Sequence, residues 1–224
     1  MTFVRTVSTI TFKKYKTTLK RFKATIMKKT IVFMASFFLL FNAKAQDVHF
    51  GVKGGVNISR LVFNDDIPSE SKVGVNIGML AHIHTSSKTW AIQPEIFYSM
   101  EGAKNVNNDG INYNLNYINV PVLLQYMFEN GFRLEGGPQL GFLLSANTKG
   151  GGVTVDDKGY KSTAFSIPLG IGYLTSSGWG LDARYVFGLS DINDLHDGQI
   201  IQSNVFQLGI FYQFSDRKSH LRHR

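Results

Sequence analysis

Eight charged residues fall where an alternating apolar pattern would turn them away from its greasy side. They are Lys53, Lys72, Arg133 and Arg184 against Glu95, Glu101, Glu135 and Asp182. The two signs are equal in number. Buried charges must be paired, so the set predicts a self-neutralising network. A selective pore would show one dominant sign along its lining. His49, His82 and His84 form a second group, and three imidazoles could bind Zn or Cu. Ligand-free rim histidines are commoner, and neither metal nor cofactor is expected. Ser99, Ser145 and Ser166 are candidate inward hydroxyls, but none has a His-Asp partner by motif. His196 with Asp194 and Asp197 is a weak match at best. No catalytic residue is assigned, and the chain does not read as an enzyme.

The elements that must position these residues are strands. Eight segments carry apolar residues at every second position: 48–60, 72–84, about 113–128 and five others at 89–101, 132–145, 161–174, 178–190 and 204–214. Period-two alternation of this length is a strand signal. Each segment is longer than the five or six residues usual in soluble sheets, and suits a tilted membrane strand. The gaps alternate in length. Thr85–Lys88, Glu129–Gly131 and Thr175–Ser177 are short; 61–71, 102–112, 146–160 and 191–203 are long and rich in Asn, Asp, Gly and Ser. Short periplasmic turns and long outer loops characterise even-stranded outer-membrane barrels. The expected fold is therefore all-β, an eight-stranded antiparallel up-and-down transmembrane β-barrel.

A soluble barrel would also alternate, with its bulky apolar face inward. Two features favour lipid on that face instead. The weaker face is crowded with glycine, including Gly51, Gly55, Gly74, Gly78, Gly170, Gly172 and Gly209. A narrow lumen requires small residues; a solvated face does not. Trp90, Tyr126, Phe128, Phe132, Tyr173, Trp179, Tyr212 and Phe214 all lie on the apolar face near short turns or the last strand's end. They predict a periplasmic aromatic girdle at headgroup depth. Tyr98, Phe142, Phe165 and Phe187 would make a looser outer one.

The leader reads as an export signal. Met27-Lys-Lys-Thr30 is a basic head, Ile31 to Phe41 an apolar run, and Ala43-Lys-Ala45 a small-x-small cleavage pattern before Gln46. Residues 1–45 are thus expected to be removed, with the signal core at 27–45 and Met27 the expected true start. The barrel is assigned to 46–214 and a basic periplasmic tail to 215–224. The leader holds ten of the 24 Lys and Arg and none of the 16 Asp and Glu, so the remainder carries 14 basic against 16 acidic residues. The basic pI of 9.6 therefore reflects the leader and does not suggest nucleic-acid binding. With no cysteine, no disulfide framework exists.

Several wall motifs resemble the Bacteroidetes outer membrane beta-barrel domain family, the PorT-like group. They are Gly51-Val-Lys-Gly-Gly-Val-Asn-Ile58, Tyr117-Ile-Asn-Val-Pro-Val-Leu-Leu-Gln-Tyr126 and Leu134-Glu-Gly-Gly-Pro-Gln-Leu-Gly141. Gly180-Leu-Asp-Ala-Arg-Tyr185 and Phe206-Gln-Leu-Gly-Ile-Phe-Tyr212 fit the same pattern. The resemblance implies a barrel in the bacterial outer membrane, and one named member assists protein secretion. Gly209-x-x-Tyr212-x-Phe214 resembles the signal read by the barrel-assembly machinery. Outer-membrane lipid, that machinery during biogenesis, and envelope or secretion proteins are the expected partners. The leading functional expectation is a structural or binding role in the envelope, with the lumen closed by charges. Assistance to secretion is the alternative, and a narrow channel the third.

Overall fold

The computed structural model describes residues 48–65, 67–87, 89–150, 153–156, 159–195 and 198–214. The leader and the basic tail lie outside these residues. Ten strands form one antiparallel sheet: β1 (Val48–Phe63), β2 (Glu70–His84), β3 (Trp90–Val106), β4 (Ile111–Met127), β5 (Phe132–Gly136), β6 (Gln139–Gly150), β7 (Val153–Asp156), β8 (Thr163–Leu174), β9 (Trp179–Gly188) and β10 (Ile201–Gln213). β1 to β4 pair in sequence order, β4 pairs with both β5 and β6, both of these pair with β8, β8 to β10 again pair in order, and β1 pairs with β10 from Gly51↔Gln213 to Phe63↔Ile201. That last ladder closes the sheet into a ring and leaves neither β1 nor β10 as an edge.

The ring has eight positions, because β5 and β6 share one. Gly137 and Pro138 separate the two there, and Pro138 has no N–H to give to a ladder. The chain resumes pairing with β4 and β8 on either side of the break. The short turns are tight: Gly131 and Gly178 take φ of +91° and +90°, and their amides donate to Phe128 O and Thr175 O at 3.1 Å. β7 is a short addition folded back on β6 within the 146–160 segment expected to be loop.

Bulky apolar side chains point out of the ring. Ile77 is 65% exposed and Leu181 60%, whereas Lys53 is 4%. A water-soluble barrel inverts that arrangement. The glycines of the inner face make room for long neighbours. A Cβ on Gly172 would come within 2.9 Å of Arg133 Cγ, and one on Gly209 within 2.7 Å of Asp182 Oδ2.

The strands run further at the loop end than alternation predicts, because the pattern changes phase. On β4, Ile118, Val120 and Val122 face out and Asn119 in; above them Asn112, Asn114 and Asn116 face out while Leu115 and Tyr117 are buried. β1 does the same: Arg60 faces out, and Leu61 and Phe63 face in. These inward apolar residues join Ala103, Val106, Ala146, Ile192 and Ile201 in one buried cluster across the loop end of the ring.

Candidate functional site: the filled lumen

Three layers fill the lumen. The layer at the turn end is polar. His82 Nδ1 donates to Gln93 Oε1 at 3.3 Å, and Arg133 Nη1 donates to Gln125 Oε1 at 3.4 Å with its guanidinium carbon 5.4 Å from the Phe211 ring centre. The His82 and His84 rings lie edge to face at 4.6 Å, and His49 and His84 at 5.7 Å. The register His49↔His82 explains this meeting at the rim. Among the described residues, no group of three His, Asp or Glu side chains is arranged to hold a metal ion.

The middle layer is the ion cluster. Glu95 sits at its centre and accepts from Arg184 Nη1 and Nη2 at 2.8 and 2.7 Å, from Lys53 Nζ at 3.1 Å and from Gln93 Nε2 at 2.8 Å. Arg184 Nε donates to Glu135 Oε1, and Glu135 Oε2 accepts from Gln125 at 2.7 Å. Asp182 Oδ1 lies 3.4 Å from Arg184 Nε and 3.8 Å from Lys53 Nζ. Lys53 also stands 5.1 Å from the Phe97 ring centre. All these residues reach the axis from alternate positions of β1, β3, β4, β5 and β9. Local order therefore follows from strand parity alone.

Five of the eight expected charges thus meet directly: Lys53, Glu95, Glu135, Asp182 and Arg184. Arg133 reaches Glu135 only through Gln125. Lys72 and Glu101 stand apart, nearer the loops. Lys72 Nζ donates to the main-chain oxygen of Glu101 at 2.8 Å. The Glu101 carboxylate instead accepts from Ser99 Oγ at 2.9 Å, Asn119 Nδ2 at 3.0 Å and Ser203 Oγ at 3.1 Å. One network of eight charges is therefore replaced by a five-residue cluster and a neutral-donor site. Lys72 lies on β2 near the loop end, and its amine settles on the nearest carbonyl.

Beside Glu101, a cavity with room for about 20 Å³ of water is lined by Tyr117, Asn119, Ser166 and Ser203 among others. That suits one or two water molecules, not a permeating solute. Above it lies the third layer, the apolar cluster of Leu61, Phe63, Leu115 and Ile192.

Reading by sequence put Asn57 and Gln93 on the inner face without a role, and missed Asn119, Gln125 and the apolar layer. Inward parity was the signal available for each. Of the candidate serines, Ser99 is fully buried and bonded to Asn57 Nδ2 and Glu101, and Ser166 lies inward. Ser145 does not: the register slips between Asn116 and Tyr117, and Leu144 and Ser145 both face out. Such a bulge resets side-chain parity. His196 and Asp197 lie outside the described residues, while Asp194 is exposed.

The eight aromatic residues of the expected girdle lie at or just beyond the turn ends of their strands. Trp90 pairs with Tyr126, Phe132 with Tyr173, and Tyr212 with Trp179 in register. Their rings meet at 5.0, 5.2 and 5.0 Å, and Phe128 and Phe214 extend the chain at 5.0 and 5.5 Å from Tyr126 and Tyr212.

Comparison with solved structures returns barrels of this kind. Neisserial surface protein A (NspA) superposes with a TM-score of 0.53 at 15% identity, covering 74% of this chain and 97% of that one. Ail, the attachment invasion locus protein of Yersinia pestis, gives 0.49 at 16% identity over 75% and 99%. The likeness to NspA is one of fold. None of the curated proteins matches the sequence. The family described as "Outer membrane protein beta-barrel domain" matches residues 44–194, two-thirds of the chain. With its outward apolar face and its closed ring, the chain belongs to the outer membrane protein beta-barrel domain family.

Proposed function

We propose that this outer-membrane barrel is a closed scaffold, not a conduit, and that its work is done at its ends and on its outer surface. The observation that carries this is the stacking of two seals across one narrow lumen. Glu95, Arg184, Lys53, Glu135 and Asp182 are at most 6% exposed, and Leu61, Leu115 and Ile192 close the loop end at 1% or less. Eight strands leave a lumen that side chains can fill, and here they do.

The role is structural or binding, as a rigid support for the segments between strands at the loop end. Outer-membrane lipid is its permanent partner, and the barrel-assembly machinery its partner during biogenesis. Export through a cleaved signal, Met27–Ala45, belongs to the same reading. Finer membership of the PorT-like group rests on the wall motifs of β1, β4, the β5–β6 join, β9 and β10, and carries no secretion role by itself, since those residues build the wall. The test is single-channel recording with the purified protein in planar bilayers. A closed scaffold gives no unitary conductance above baseline. Stable, ion-selective steps would replace it with the narrow-channel reading.

A further inference from the structure

Three of the six histidines in the chain stand together at the turn end of the lumen. His49 on β1 pairs in register with His82 on β2, and His84 lies two residues further along β2, on the same inward face. The ring centres of His49 and His84 are 5.7 Å apart, and those of His84 and His82 are 4.6 Å apart. The three differ in what their nitrogens do. His82 is 1% exposed, and its Nδ1 is held by Gln93 at 3.3 Å. His84 Nδ1 is buried and has no hydrogen-bond partner among the described residues. His49, partly buried beside it, likewise makes no ring hydrogen bond among the described residues. Two neighbouring imidazoles at the mouth therefore have nitrogens to spare.

We infer that His49 and His84 form a two-imidazole site for a divalent transition ion, Cu(II) foremost, at the turn-end mouth of the barrel. A buried nitrogen without a partner costs free energy, and a bound ion or water is the ordinary remedy. The ring spacing suits an ion. A metal about 2 Å from one nitrogen of each ring places the ring centres about 4.5–6.3 Å apart, and 5.7 Å falls inside that span. The rings now stand edge to face at 83°. A turn about χ2, a broad torsion in histidine, aims one nitrogen of each at a common point. Both donors are imidazoles, which suit Cu, Ni and Zn over Mg and Ca, and Cu(II) heads the affinity order. His82 has a supporting part: fixed by Gln93, it packs edge to face on His84 and steadies that ring. Two protein ligands leave the other positions to water, so the site needs no third described His, Asp or Glu.

Untagged protein, purified from outer membranes in detergent and stripped of metal with a chelator, tests this by titration with Cu(II). Electron paramagnetic resonance counts the coordinating nitrogens through their coupling to the copper spin. The wild type is expected to bind one Cu(II) per chain through two imidazole nitrogens, and Mg(II) is expected not to compete. Loss of a group that merely supports a ligand weakens a metal site about 10–100-fold, so H49Q and H84Q are each expected to bind at least about tenfold more weakly and to show one nitrogen at most. H196Q and H220Q/H223Q, which remove the chain's other histidines, are expected to keep both the affinity and the two-nitrogen signal. Heat-modifiable gel mobility reports that each variant is folded, and H49Q decides alone if H84Q is not. A wild-type signal from fewer than two nitrogens overturns the proposal. So does unchanged affinity in folded H49Q, or loss of binding in H196Q or H220Q/H223Q.

Discussion

Arg184 grips Glu95 with both terminal nitrogens, at 2.8 and 2.7 Å, from strands on different sides of the lumen. The two side chains are 2% and 0% exposed. Planar fork-to-fork geometry is the strongest form of such a pair. Here it ties β9 to β3 across the axis, while Lys53 and Gln93 satisfy the remaining acceptor sites.

Removing one partner of a buried pair costs far more than the pair is worth, because the other charge is left without compensation. Glu95→Gln leaves Arg184 and Lys53 short of their shared carboxylate. The expected loss is roughly 3–5 kcal/mol, read as a lower urea midpoint for unfolding in detergent micelles. Glu70→Gln, at an exposed carboxylate bonded to Asn105, is expected to shift stability by about 0.5 kcal/mol at most.

Adjacent glycines on β1 differ in what an added methyl would meet. On Gly55 a Cβ collides with the main-chain oxygen of Leu208 and lies 2.8 Å from Gly209 Cα. On Gly54 its nearest neighbour is Asn76 O at 3.7 Å, an ordinary contact. Backbone cannot move aside as a side-chain tip does. Gly55→Ala is expected to destabilise by about 1–3 kcal/mol, and Gly54→Ala to stay within about 0.5 kcal/mol of the wild type. Unfolding midpoints of the two variants in one detergent decide the matter.

The segment after β9 is pinned by Asp191. Burial is the largest single influence and opposes its charge, but Lys161 Nζ and the amides of Ile201 and Asn193 donate to it and together hold its pKa below the usual 3.8. A depressed carboxylate pKa contributes stability above the unfolded value and loses it as pH falls through the folded one. Backbone hydrogen exchange at Lys161, Ile192 and Asn193 is therefore expected to be slow from neutral pH down to about pH 4 and to quicken only in stronger acid. Asp191→Asn is expected to show the quick exchange at neutral pH. Identical protection in wild type and variant would refute the pinning role.

Much of this architecture was legible because a membrane barrel obeys one parity along each strand. Ile58, Ile77, Ile118 and Leu181 face out and Lys53, Glu95 and Arg184 face in, as alternation dictates. The inward glycines likewise signalled a crowded axis. What alternation could not show was where its phase turns over. Between Tyr117 and Ile118 the pattern turns over: beyond it apolar residues lie inside and polar ones outside, as in a soluble sheet. A reader following a single phase ends the first strand at Arg60, the third at Glu101 and the fifth at Ser145, and so takes 61–63, 102–106 and 146–150 for loop. The Leu144 bulge misplaced Ser145 for a related reason, since one extra residue leaves no mark on composition. Partner choice within the lumen was also out of reach. Parity says that Lys72 and Arg133 point in, but only three-dimensional register shows that, among the described residues, neither lies within ion-pair distance of a carboxylate.

The account depends on the outward side chains standing in lipid, with the aromatic girdle at one headgroup level. The chain has two tryptophans, and both belong to that girdle, so their fluorescence reports on it directly. Single-tryptophan variants, W179F leaving Trp90 and W90F leaving Trp179, are to be reconstituted in bilayers whose acyl chains carry bromine at graded depths. Both residues are predicted to be quenched, most strongly by the bromines nearest the headgroups and to the same extent as each other. Absence of quenching, or a maximum at the bilayer centre for either tryptophan, would contradict the orientation from which every other conclusion follows.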